Sequence, residues 1–468
     1  MMRLTLAEVL EATGGRLLAR TLARSHARTL CRRISTDSRT LRRGDWFVAL
    51  RGENFDGHDY LPQVIERGAR VLIVSRVPDG FSPRSHPLIL VGDTLRALGD
   101  IAALWRRKLR VRVIAVTGSS GKTTTKDLLG AIMARHAPTL VTQGNLNNLI
   151  GVPHMVQRLA QRHRWAVFEI GMNLPGEIDR LADIISPRIG LITNIGDAHA
   201  GNFPSGRRGV FAAKAELLGR IERRGALVLN ADDTESTAAL AQRAHRRGLR
   251  VLRFSAGANR EADLWVESVE PRKPLGHCVV LATHSQDAMF ALPIIGLYNV
   301  ANLAAAATAA LAAGVPLAAM PRAVKRFKPT GMRSLKRDWN GVGLLVDCYN
   351  ANPQSMAHAL ASLGSLPCAG RRVALLGDMF ELGRRSASLH RAVGTAVAKA
   401  GVDQLVTFGK DARLIAERAR GVTARHFDDP EECARHLRAT LRSGDLLLVK
   451  GSRAMAMERI LQALERAA

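Results

Sequence analysis

Val113-Ile114-Ala115-Val116-Thr117-Gly118-Ser119-Ser120-Gly121-Lys122-Thr123-Thr124-Thr125 reads, in that order, as a buried strand, a small loop and the first turn of a helix. Val113 to Val116 are apolar and mostly β-branched, which suits a strand covered on both faces. Lys126-Asp127-Leu128-Leu129 then takes up helical spacing. A glycine-rich turn entering a helix N-terminus is an anion site, because backbone N–H groups crowd round the ligand and the helix dipole favours negative charge. In such a loop Lys122 reaches a β- or γ-phosphate and the Thr123 hydroxyl ligates Mg²⁺. Gly118, Ser119, Ser120, Gly121, Lys122, Thr123 and Thr124 are therefore the expected nucleotide-binding residues. The loop is shorter than the general Walker form, which has its first glycine where Val116 stands here.

Residues from about 108 to 328 alternate strands with helices around this loop, which predicts a mostly parallel sheet covered by helices, an ATPase-like central domain. Three further loops sit near strand ends. Gln143-Gly144-Asn145-Leu146-Asn147-Asn148 packs amides around a glycine, Ala166-Val167-Phe168-Glu169 ends in a carboxylate, and Leu191-Ile192-Thr193-Asn194-Ile195-Gly196-Asp197-Ala198-His199 ends in Asp and His. Ligands of open α/β sheets collect beyond the carboxyl ends of the strands, so Glu169 and His199 are expected to face one phosphate-metal region. Read alone, His199 is a satisfied loop histidine, and Lys214, within the helical run Phe211 to Leu218, is a solvated lysine. Asn299 and Asn302, at i and i+3, share a helix face; their amides either meet a purine edge or cap the helix.

Residues 1–107 form a small α/β unit with a helix from Leu4 to Leu10, strands at Trp46 to Leu50 and Ala69 to Val74, and a polar loop at Asp37-Ser38-Arg39. Between about 231 and 290 the chain is more polar, with a β-rich stretch at Ala262 to Val266. Residues 329–468 alternate again. Val342 to Asp347, Val373 to Met379 and Leu446 to Arg453 are strands with polar ends, a Rossmann-like α/β domain without the G-x-G-x-x-G fingerprint.

The chain of 468 residues is long enough for two or three domains, and 47% hydrophobic content supplies their cores. No run of about 18 apolar residues and no charged-then-apolar leader occurs, which predicts a cytoplasmic protein without a membrane span. The five cysteines are scattered without metal-ligand spacing. The formal charge of +27 raises nucleic acid as a partner. The arginines are nevertheless spread along the chain with few aromatics to stack on bases, which favours anionic substrates instead.

Taken together, and in order, these segments resemble the Mur ligases, ATP-dependent amide-bond formers of peptidoglycan precursor synthesis. The likeness covers nearly the whole chain. It rests on Asp37-Ser38-Arg39, Thr117 to Thr123, Gly144 to Asn148, Glu169-Ile170-Gly171, Asn194-Ile195-Gly196 with His199, Lys214-Ala215-Glu216 and Tyr298 to Asn302. It continues through Asp347 to Pro353, Gly377 to Gly383 and Lys450 to Arg453. The last three segments favour the member that adds D-alanyl-D-alanine to UDP-N-acetylmuramoyl-tripeptide. One position departs from the pattern: Gly201 stands two residues after His199, where the family often has Glu.

The resemblance implies three domains: 1–107 for the UDP-linked substrate, 108–328 for ATP, and 329–468 closing on ATP and binding the incoming dipeptide. It implies ATP and Mg²⁺ as cofactors, catalytic roles for Lys122, His199 and Lys214, and a metal site built from Thr123, Glu169, His199 and a carbamylated Lys214. Asn299 and Asn302 would face adenine, Asp347 and Tyr349 the ribose, and Arg333 a phosphate. Asp37, Ser38 and Arg39 would hold the uridine nucleotide, and Asn145, Asn147 and Asn148 the muramoyl part. The expected protein is a monomer in the cell-wall pathway on which cell shape and division depend. Whether the tripeptide ends in diaminopimelate or lysine stays open.

Overall fold

The computed structural model describes residues 2–18, 29–78, 86–273, 275–329, 331–332 and 335–466. In the first unit a five-stranded sheet runs Arg16–Leu18, Leu88–Leu90, Val71–Val74, Trp46–Val48, Ile34–Ser35, and only its first pair is antiparallel. The amphipathic N-terminus differs from expectation at its start. Leu4–Thr5 is extended and pairs with Leu30–Cys31, and the helix runs Leu6–Thr13. The cause is local: Thr5 and Glu8 form a reciprocal capping box, which fixes the helix start just after Thr5.

The helix Thr94–Arg107 opens on an Asp93 cap and packs against the helices Gly151–Val156 and Glu177–Ile185. Its buried face, with Leu98, Ile101 and Trp105, merges the first unit's core with that of the central one.

A nine-stranded sheet forms the centre, in the order Asp287–Leu292, His277–Ala282, Leu264–Pro271, Arg250–Ser255, Ala226–Asn230, Ile189–Ile192, Arg112–Thr117, Trp165–Glu169, Thr139–Val141. The pairings from Thr139 to Leu264 are parallel; the last three strands form an antiparallel extension, where the β-rich stretch was expected. The strand Arg112–Thr117 lies between two parallel neighbours, with Glu169 opposite Val116 and Ile192 opposite Thr117. That register brings three strand ends to one level. The alanine-rich helix Leu297–Ala312 packs against Lys122–His136 behind them.

The third unit is a six-stranded sheet ordered Leu335–Trp339, Val342–Val346, Leu446–Lys450, Arg372–Gly377, Gln404–Phe408, Thr423–Phe427, antiparallel only at its first edge. Its helix Pro353–Ser365 begins with proline at the first turn and an Asn352–Ser355 capping box, which fix where the helix starts. Arg333 lies outside the described residues.

Candidate active site

The loop Gly118–Gly121 is held by the neighbouring strand end. Ser119 N–H donates to Asn194 O at 3.0 Å, Ser120 N–H to Asn194 Oδ1 at 3.0 Å, and the Thr193 hydroxyl donates to Ser120 O at 2.6 Å. Gly118 and Gly121 have φ of +150° and +80°; a Cβ on the first would lie 1.9 Å from Thr193 Oγ1 and on the second 2.2 Å from Asn302 Oδ1. Only glycine fits either position. The helix Lys122–His136 starts on Gly121 without a side-chain cap, so its first N–H groups are available to an anion. Lys122 Nζ donates to Gly118 O at 2.7 Å, folded over its own loop.

Beyond these strand ends lies a cavity of about 590 Å³, within the range of a cofactor site. Glu169, Asn145, Asn147, Asn148, His199 and Lys214 all line it, as do the loop residues Ser119 to Thr124. Glu169 is 2% exposed; Asn147 Nδ2 donates to its Oε1 at 2.7 Å, while Oε2 is buried with no partner among the described residues. An orphaned buried carboxylate oxygen fits a cation ligand. Asn148 has a second task, since its Oδ1 accepts from Ile150 N–H at 3.2 Å and Gly151 N–H at 2.8 Å, which ties the loop to the start of the next helix.

Lys214 is not the solvated residue that its helix suggests. It is 2% exposed and lines the cavity, and burial, with the Lys122 charge nearby, holds its amine well below the usual lysine range. The His199 Nδ1 is paired with the Glu381 carboxylate of the third unit, which lowers the Glu381 carboxyl. Among the described residues no group of three or more His, Cys, Asp and Glu side chains is poised to hold a metal. The cavity residues that could share in holding a divalent ion are the Glu169 carboxylate, the Thr123 hydroxyl and the His199 ring.

The third unit supplies the opposite wall. Asp347 and Tyr349 line the cavity, and Lys450 Nζ lies 2.7 Å from Asp347 Oδ2 and 3.0 Å from Asn350 O. Ser120 Oγ donates to Gln354 Oε1 at 3.2 Å, so the helix Pro353–Ser365 touches the phosphate loop directly. His358, one turn on, stacks on Tyr298 with ring centroids 5.6 Å apart.

Sequence reasoning missed Asn194, Gln354, His358 and Lys450 as site residues. Asn194 and Lys450 stood at strand ends already recognised. Gln354 and His358 share a helix face by their i, i+4 spacing, yet nothing local shows what that face meets. Asn302 reaches the cavity wall, but Asn299 is buried behind it, with Nδ2 donating to Ile295 O at 2.6 Å and Oδ1 accepting from Asn302 Nδ2 at 2.9 Å.

Asp37, Ser38 and Arg39 lie apart from the cavity lining, in a tight turn where Arg39 Nε meets Asp37 Oδ1 at 3.0 Å and Arg67 donates to Ser38 O at 2.9 Å. The strand leading there is fastened to the central unit: Ile34 N–H donates to Gln157 Oε1 at 2.7 Å, and Thr36 Oγ1 lies 2.9 Å from His154 Nε2. The turn thus sits above the helix that follows the Asn145–Asn148 loop.

Family models match three consecutive stretches: one described as Mur ligase family, catalytic domain over residues 31–106, one as Mur ligase middle domain over 116–310, and one as Mur ligase, glutamate ligase domain over 332–453. The UDP-N-acetylmuramoyl-tripeptide--D-alanyl-D-alanine ligase of Escherichia coli (strain K12) is 36% identical over 436 residues, covering 92% of this chain and 93% of its own. A crystal structure of MurF from Acinetobacter baumannii is similar at a TM-score of 0.90, with 34% identity and 99% of each chain covered. The MurF ligase from Thermotoga maritima, solved in complex with ADP, is similar at a TM-score of 0.82, with 26% identity over 93% of this chain and 97% of that one.

Proposed function

The chain belongs to the Mur ligase family, and from that membership we propose that it is the ATP-dependent, ADP-forming ligase that adds D-alanyl-D-alanine to UDP-N-acetylmuramoyl-tripeptide, a step of cell-wall synthesis. The observation that carries this reading is the single cavity with the phosphate loop, Glu169 and Lys214 on one side and Asp347 and Tyr349 on the other. We take it to be a cytoplasmic enzyme that acts as a monomer. Among the described residues no single helix is long and apolar enough to cross a membrane.

In this reading the first unit, 1–107, holds the UDP-linked peptide, with Asp37, Ser38 and Arg39 at the uridine nucleotide and Asn145, Asn147 and Asn148 along the muramoyl part. The central unit, 108–328, binds the ATP phosphates through Gly118 to Thr124. Asn302 faces the adenine with Asn299 bracing it, and Asp347 and Tyr349 border the ribose. Arg333 is assigned to a phosphate on the resemblance alone. The unit 329–468 brings the dipeptide.

The peptide carboxylate attacks the γ-phosphorus of ATP, ADP leaves, and an acyl phosphate forms. The dipeptide amine then attacks the acyl carbon, loses a proton, and expels inorganic phosphate. Lys122 neutralises charge on the β/γ oxygens, where a positioned cation acts most strongly in a site that excludes water. Mg²⁺, when bound, would be held by Thr123, Glu169, His199 and a Lys214 carbamate and would supply further charge neutralisation. Buried Lys214 suits carbamylation because CO₂ adds only to a neutral amine.

Phosphate release from ATP tests the reading. It is expected to require Mg²⁺, a UDP-N-acetylmuramoyl-tripeptide and D-alanyl-D-alanine together. Efficient turnover with a single amino acid, and none with the dipeptide, overturns it.

A further inference from the structure

Two loops from different units meet beside the cavity through backbone as well as side chains. Gly201 N–H donates to Glu381 O at 3.2 Å, the Glu381 carboxylate pairs with His199 Nδ1, and Arg385 reaches Asp197 Oδ1 at 3.0 Å. A Cβ on Gly201 would lie 2.4 Å from Gly383 N, and one on Gly383 would lie 2.7 Å from Gly201 Cα. The loops therefore touch main chain to main chain. His199 and Glu381, the two side chains that pair, are also among the few non-glycine residues with left-handed backbones, at φ 63° and 62°. Such strain persists only where surrounding contacts over-determine it.

Each loop is anchored in its own unit. Met379 N–H donates to His390 Nε2 at 3.0 Å and Phe380 N–H to Ser452 Oγ at 2.9 Å, which fixes the turn carrying Glu381. On the other side Gly196 N–H donates to Ser119 Oγ at 2.8 Å, which links the His199 loop to the phosphate loop.

We propose that the turn Glu381 to Gly383 is a clasp for the closed enzyme, and that Glu381 positions the His199 ring at the cavity only while the clasp is engaged. Opening the third unit withdraws the carboxylate and releases the ring. Closing it returns the carboxylate and presses on a loop bonded to Ser119, so that site assembly is tied to closure. Gly201 is then required by the close approach of Gly383, not by its own backbone, which is not left-handed. Glu381 is a positioning residue in this scheme; it acts through His199.

The inference rests on the proposed ligase reading, and its test separates the two. Gly201→Ala meets only the facing turn and leaves the central unit free to fold. Glu381→Gln keeps shape and removes charge. Each is expected to lower kcat about tenfold or more while moving the ATP KM less than about threefold. The charge-exchanged pair Asp197→Arg with Arg385→Asp is expected to recover activity that either single variant loses. Small-angle scattering with a non-hydrolysable ATP analogue and Mg²⁺ gives a readout without turnover: the fall in radius of gyration expected of the parent protein should be lost in Gly201→Ala. Equal kcat and equal contraction in parent and Gly201→Ala overturn the clasp. Contraction that depends on Gly201 in a protein with no ligase turnover overturns the ligase reading and leaves the clasp standing.

Discussion

Asn147 Nδ2 lies 2.7 Å from Glu169 Oε1, and this contact satisfies one oxygen of a carboxyl group whose other oxygen is buried without a partner among the described residues. The arrangement orients the group and leaves it incomplete. A buried carboxylate lacking a cation is a cost to the folded chain. Glu169→Gln keeps the volume and removes the charge, so in the absence of Mg²⁺ its melting temperature should equal or exceed that of the parent. Its activity should fall about a hundredfold or more, the scale of losing one preorganised electrostatic group. Melting curves with and without Mg²⁺ and nucleotide, run beside the activity assay, check both halves. A variant that is both destabilised and active would make Glu169 a structural residue.

Lys122 is folded over the loop, with Nζ on Gly118 O, so it braces the main chain that it would leave for a phosphate. The loop keeps its other ties, to Thr193 and Asn194, when Lys122 is shortened. Lys122→Ala should therefore stay folded, with its melting temperature lowered by a few degrees at most, while kcat falls about 10²–10³-fold or more because the charge matters most as the γ-phosphoryl group transfers. Near-normal kcat would show that the lysine serves the loop alone.

The phosphate loop was legible because its signal is local: β-branched strand, glycines that nothing larger can replace, and a helix start lie in one stretch. Glu169 and His199 were legible because a parallel sheet collects strand ends at one edge. The side chains that close the cavity from the third unit were not. Gln354 touches Ser120, and Lys450 touches Asp347, across 234 and 103 residues of sequence. No periodicity reports such pairs. Lys214 was misread from its sequence alone because helical spacing says which residues share a face, not whether that face meets solvent or a cavity. Asp378 carried part of the resemblance, yet its Oδ1 accepts from Asp411 and Ala412 N–H at 3.0 and 2.7 Å, a structural task inside the third unit.

Ser38 and Arg39 occupy a turn away from the cavity lining, fastened through Arg67 and through the strand end held by Gln157. Groups remote from the bond being made add uniform binding. Ser38→Ala and Arg39→Ala should each raise KM for the nucleotide-linked peptide, by about tenfold for a lost charged or polar contact, and leave kcat within about twofold. Steady-state kinetics with that substrate varied and the others saturating decide it. A fall in kcat alone would remove the turn from the uridine site.

Lys214 carries the most specific chemistry. Its amine is buried beside the Lys122 charge and held well below the ordinary lysine value of 10.5. Between its folded pKa and 10.5 the unfolded chain holds a proton that the folded chain lacks, so this residue makes stability rise with pH across that window. Lys214→Met should remove that part of the rise. The neutral amine is also what CO₂ requires, and a carbamate formed there would put an anionic oxygen ligand in the cavity that Glu169 lines. Carbon-13 NMR of protein equilibrated with labelled bicarbonate at alkaline pH should show one carbamate signal that Lys214→Met abolishes. Lys214→Ala should be nearly inactive and partly restored by a short-chain carboxylate such as acetate or propionate, whose oxygens take the vacated position. Full activity of Lys214→Ala, or a carbamate signal unchanged by Lys214→Met, would assign the lysine to packing and return the metal site to Glu169, His199 and Thr123.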